Sequence, residues 1–156
     1  MKDFKEILFI LLRFLGIWLV LFLMYQLFLN QYKGDIDAIT RFVSDQSAFL
    51  LNKTGFETTT KDFPYYETIM FYIKEKPATR MVEGCNAVSV MILFLAFIFA
   101  FYKGIKTIWF ALVGLVILYV LNLFRIYVLN VVVIEYNSLT KPAHDYFFPA
   151  IIYGGV

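Results

Sequence analysis

An all-α integral membrane protein with about four membrane-crossing segments is what the sequence predicts, on three observations. Of its 156 residues, 61% are hydrophobic and 17% charged, against roughly a half and a quarter in soluble domains. The apolar residues come in long blocks. Of the 14 Lys and Arg and 12 Asp and Glu, 15 fall between Asn30 and Gly84, so one charged connection separates the blocks. The chain reads as a single polytopic membrane domain, residues 1–156.

The first span, about 7–29, runs from Ile7 to Leu29 and is broken mainly by Arg13, Gly16 and Gln26. At about 1.5 Å per residue it crosses a hydrocarbon core of about 30 Å. Lys2 and Lys5 precede it as they would a signal peptide, but the apolar run is too long for one. Asn30-Gln31-Tyr32 follows where a small-residue cleavage site would stand, so the segment reads as an uncleaved anchor. The second span, about 85–102, is short: Ala87 to Tyr102 needs Gly84 to Asn86 to reach the interface. The third, about 108–130, has an apolar continuation through Ile134. The fourth, 142–156, stops at Val156, and its length from His144 gives only about 20 Å of helix. The last span is therefore expected to be incomplete. Either the chain is a truncated form of a longer one or its last segment ends inside the bilayer or against partners; truncation is the favoured reading, since no flanking charge or aromatic belt closes the segment.

Lys103 and Lys106 crowd the turn between the second and third spans, and Lys2 and Lys5 flank the first. The positive-inside rule puts both on the cytoplasmic side. The outer loop, 30–84, then faces the periplasm in a bacterium. Ile36, Ile39, Val43 and Leu50 fall on one helical face, which predicts an amphipathic helix of about four turns lying on the membrane surface and ended by Gly55. From Phe56 to Ile73 the Thr and aromatic residues around Pro64 suit a short hairpin.

Several classes of function are excluded. A net charge of +2, with no basic run or stripe, gives nucleic acid no footing. One Cys and one His exclude an intramolecular disulfide and a spacing-defined zinc site. No cofactor motif is present: the glycines form no phosphate-cradling run and no Ser sits in a Gly-x-Ser-x-Gly elbow.

Three polar residues stand out because the bilayer makes them costly: Cys85, Arg125 and His144. Cys85 begins the second span from the outer side and His144 the fourth. Arg125, 18 residues past Thr107, lies about 27 Å up a helix that rises from the cytoplasmic face. All three reach one level. Cys85 follows Gly84 at an expected helix N-terminus, where unpaired N–H groups favour a thiolate, although Glu83 opposes it. The bland alternative is a small buried hydrophobe. Arg125 is either functional, with Asn122 one turn earlier to hold its guanidinium, or snorkels to the outer headgroups. Arg13, near the cytoplasmic face, is read as snorkelling. His144 follows Pro142 near a helix N-terminus that disfavours imidazolium, and Asp145 is its neighbour. Taken alone, such a His is a solvated residue; beside a thiol and a guanidinium it becomes a candidate base. The combination suggests acyl transfer, with the thiolate attacking a carbonyl, the imidazole shuttling a proton and the cation stabilising the oxyanion.

Glu83-Gly84-Cys85-Asn86-Ala87, then Asn122-Leu123-Phe124-Arg125, then His144-Asp145 stand in that order on successive segments. This set resembles the exosortase/archaeosortase family, in particular its short F-type exosortases. The resemblance covers nearly the whole chain. It implies a cysteine transpeptidase or protease of the bacterial inner membrane, with its active site facing the periplasm. Its substrates would be membrane-anchored proteins bearing C-terminal sorting tails. Cys85 would be nucleophile, Arg125 the substrate or oxyanion partner and His144 acid/base, with Asn122 and Asp145 supporting. Two positions depart from the pattern: many members have Ser-Gly where Asn86-Ala87 stand, and a glycine where Phe148 stands. A competing class is a non-catalytic membrane assembly or scaffold protein, whose polar residues only pack helices together. A thiol redox protein lacks a second cysteine.

Overall fold

Two helices are long and apolar enough to cross a bilayer: α1 (Lys2–Asn30) and the last helix of the described chain, α4 (Ile105–Glu135). The structure is a computed structural model that describes residues 2–135, so the expected fourth segment, 142–156, lies outside the described residues. At 29 and 31 residues the two helices are about 43 and 46 Å long. Phe4, Ile7, Phe9, Val20 and Leu27 on α1, and Trp109, Phe110, Val113, Val116 and Val120 on α4, are exposed. Apolar surface so extensive suits lipid as its solvent.

Between them lie α2 (Ala38–Lys53), β1 (Thr58–Phe63), β2 (Thr68–Ile73), β3 (Lys76–Met81) and α3 (Val88–Ala100). Single 3-10 turns occur at Pro64–Tyr66 and Glu83–Cys85. The sheet corrects the all-α expectation. The β1–β2 hairpin falls in the stretch read as one, but β3 extends it to a three-stranded antiparallel meander in the order β1-β2-β3. Ile69, Phe71 and Ile73 alternate onto the buried face of β2 with the strand period of two. The β2–β3 turn is the two residues Lys74 and Glu75, both at positive φ, which matches the twist of the flanking strands. On edge strand β3, Ala78 and Thr79 oppose the single residue Phe71. This bulge interrupts the alternation and Thr79 donates to Asn130 Oδ1 on α4 at 2.8 Å.

Asp37 starts α2, its carboxylate accepting from Ile39 N at 3.0 Å and Thr40 N at 2.9 Å. Gly55, at φ +91°, ends it. There Phe56 N–H returns to Leu51 O and Gly55 N–H to Asn52 O, the paired bonds of a Schellman cap. The buried face of α2 carries Val43, Ser44, Ser47 and Leu51, with Leu50 only half-buried. That face packs on the sheet and on α4 and not, as expected from its amphipathicity, on a membrane surface. One core cluster joins Val43 and Leu51 of α2, Phe71 and Met81 of the sheet and Ile126 of α4.

On α4, Leu118, Asn122, Ile126 and Asn130 form a buried stripe at every fourth residue. The C-terminal half of α4 is thus a wall of the α2–sheet layer. Helix α3 is shorter than the expected 85–102: its 13 residues give about 20 Å, and α4 begins earlier and ends later than 108–130. Ala96 and Ala100 of α3 are buried. Gly114 of α4 lies so close to α3 that a Cβ there would overlap the Phe94 ring.

Candidate active site

Cys85 closes the 3-10 turn between β3 and α3. Its N–H donates to Val82 O at 2.8 Å, while its half-buried side chain packs at the margin of the core cluster. The expectation of a thiol at the first turn of a spanning helix is corrected: α3 begins three residues later, at Val88, and the Cys85 N–H is occupied within its own turn.

The next residue fastens that turn. Asn86 is 2% exposed. Its Nδ2 donates to Tyr25 Oη of α1 at 3.1 Å and to Thr40 Oγ1 of α2 at 3.2 Å, while its Oδ1 accepts from Val88 N at 3.0 Å. In the sequence Asn86 stood out only as a member of the cysteine motif and a departure from its pattern, and its two hydroxyl partners not at all. The available signal was a polar residue directly after the sole cysteine and directly before an apolar block. Ala87 then takes the left-handed conformation, φ 62° and ψ 7°. That conformation is costly for a side chain with a Cβ, which gives a physical reason for glycine at this place in the Ser-Gly pattern.

From α4, Asn122 Nδ2 donates to the carbonyl of Cys85 at 3.1 Å. The amide is fully buried, and its Oδ1 finds no hydrogen-bond partner among the described residues. Asn122 was read as able to hold the guanidinium of Arg125, which its Oδ1 would do; its Nδ2 holds the cysteine turn. Arg125 stands one turn further along α4, half-buried, with its Nε enclosed and likewise without a partner among the described residues. Among the described residues an unpaired acceptor and an unpaired donor therefore sit one helical turn apart on α4, the acceptor on the residue that holds the Cys85 carbonyl, and buried groups of this kind are costly unless something completes them. His144 and Asp145 lie outside the described residues.

An acidic cleft of about 240 Å³ adjoins the turn, lined by Tyr32, Asp35, Asp37, Tyr66, Glu67 and Glu83 among others. Glu83 is held above the usual carboxylate range, chiefly by desolvation and then by the charges of Asp37 and Glu67. Among the described residues no three or more of His, Cys, Asp and Glu are grouped to hold a metal ion.

Two bilayer-length helices, a short third helix and an α2–sheet layer followed by a lone cysteine on a clamped turn define a membrane protein with a built polar site. Across residues 5–156 the sequence matches the family of transmembrane exosortases (Exosortase_EpsH), and the chain belongs to that family. No curated protein and no solved structure matches it.

Proposed function

We propose that the chain is a cysteine transpeptidase or protease of the inner membrane that cleaves proteins at a C-terminal sorting signal from the periplasmic side. Family membership supports a membrane transpeptidase or protease role. The observation that carries the residue assignment is the bond from Asn122 to the carbonyl of Cys85. It ties the lone thiol to the helix that bears Arg125. In this reading the Cys85 thiolate adds to the scissile carbonyl, and the oxyanion is met by the guanidinium of Arg125. His144 takes the thiol proton and delivers it to the leaving amine as the C–N bond breaks, leaving the substrate's new C-terminus as a thioester on Cys85. Water or an acceptor nucleophile then releases it and restores the thiol. A half-buried Cys85 at the margin of the core is also what a helix-packing scaffold would have, and in that second reading the thiol is dispensable.

The thioester separates the two. Full-length protein quenched in acid during turnover should carry a substrate adduct on the peptide containing Cys85, released by neutral hydroxylamine. Processing with no such adduct, under conditions where its release is the slow step, would favour another nucleophile.

A further inference from the structure

We propose that Asn86 is a positioning residue for Cys85, holding the cysteine turn against α1 and α2 through the hydroxyls of Tyr25 and Thr40; this rests on Cys85 being the nucleophile. Asn86 is matched to three partners on three helices: two N–H donors to two hydroxyl oxygens and one carbonyl oxygen to the first N–H of α3. An amide supplies two donors and an acceptor from one short side chain, which a hydroxyl cannot. All three side chains are enclosed, with Tyr25 at 8%, Thr40 at 1% and Asn86 at 2% exposure. Direct hydrogen bonds between buried groups hold geometry more tightly than solvated ones, because no water competes for them. The partners are 61 and 46 residues away in sequence, so the contact ties separate elements together and does more than complete a local turn.

Asn86 is bonded to Cys85 through one peptide unit, and the backbone reverses immediately afterwards at left-handed Ala87. The direction of the Cys85 Cα–Cβ bond is therefore fixed on its N-terminal side by the Cys85 N–H on Val82 O, and on its C-terminal side by Asn122 on the Cys85 carbonyl together with the Asn86 amide. Releasing the Asn86 hold leaves the Cys85 backbone tied to Asn122 and Val82 but lets its peptide unit turn about those bonds and carry the thiol with it. A misplacement of about 1 Å at a reacting atom costs on the order of 100-fold in rate.

The test uses the full chain in lipid membranes with Asn86→Ala, Tyr25→Phe, Thr40→Val and Thr40→Ser, together with Cys85→Ala. Two quantities are read: kcat and KM for cleavage of a tail-bearing substrate, and the alkylation rate of Cys85 by iodoacetamide. Cys85 is the only cysteine, so the label is unambiguous. Asn86→Ala and the Tyr25→Phe/Thr40→Val pair should lower kcat by about 10- to 100-fold with KM little changed. The alkylation rate should change with them, and Thr40→Ser, which keeps the hydroxyl, should behave as wild type. The near-isosteric Tyr25→Phe and Thr40→Val decide the matter if Asn86→Ala fails to fold. Wild-type kcat and alkylation in that folded pair would overturn the proposal. Cleavage surviving in Cys85→Ala would instead overturn the reading of Cys85 as nucleophile, and this proposal with it.

Discussion

Asn122 reaches from α4 to donate its side-chain N–H to the carbonyl of Cys85 at 3.1 Å, with the whole amide out of contact with solvent. Two turns further along the same stripe Asn130 accepts from Thr79 of β3. These two asparagines fasten the cysteine turn and the edge of the sheet to one face of a membrane-length helix. The backbone of Cys85 is therefore held to the helix that bears Arg125, one turn along from Asn122.

Asn122→Ala removes the donor to the part-buried Cys85 carbonyl and leaves a gap where a buried amide stood, at an expected cost of about 1 kcal/mol or more. Thermal unfolding in detergent should show a lowered midpoint. Processing at matched protein level should fall as well, because the turn is no longer fixed to the helix that bears Arg125. An unchanged midpoint together with unchanged processing would mean that the bond contributes nothing.

Arg125→Lys keeps the charge but replaces a planar fork by a point-like ammonium. The variant should insert and accumulate normally yet lose most processing, since a fork can grip a carbonyl or carboxylate with two parallel bonds. Full processing by the Lys variant would assign Arg125 to the headgroup region instead.

Ala87→Gly should stabilise the protein by about 1 kcal/mol, because the left-handed backbone at φ 62° carries no Cβ penalty in glycine. The comparison is between unfolding midpoints of two otherwise identical chains. A lower midpoint for Gly would show that the unfolded-chain entropy of glycine outweighs the relief.

Glu83 has its carboxyl raised, so the folded chain binds its proton more readily than the unfolded chain does. Stability must then fall as pH rises through the carboxylate range, and its repulsion from Asp37 and Glu67 is felt fully only above that range. Glu83→Gln should raise the unfolding midpoint at neutral pH and lose that advantage in acid, where the wild-type carboxyl is protonated. An advantage that grows on acidification would contradict the cause assigned to the shift.

The membrane-length helices were legible because an apolar block of that length has few other solutions in water. Helix α2 was legible in outline from its face and from Gly55. Its packing was not: the pattern Ile36, Ile39, Val43 fits a bilayer surface and a sheet equally well. Strand β3 escaped because Lys74-Glu75-Lys76-Pro77 reads as a charged turn and the bulge at Ala78 and Thr79 breaks the alternation that marks a strand. For the site, counting helical rise brought out Cys85 and Arg125, with Asn122 beside Arg125. The bond from Asn122 to Cys85 was not legible, since nothing local says that its amide crosses to another element. Asn86 was noted only as a departure from the motif and its bonds were missed for the same reason, its partners Tyr25 and Thr40 being fixed only by the tertiary fold.

The central claim is that Cys85 and His144 act together on a carbonyl, and processing by single and double variants tests it most directly. Groups that act as a unit are not additive, so removing either should cost nearly as much as removing both. With enzyme levels matched, Cys85→Ala and His144→Ala should each leave tail-bearing precursors uncleaved in the membrane fraction, and the double variant should be little worse. Continued cleavage of those precursors by the Cys85→Ala protein would contradict the account.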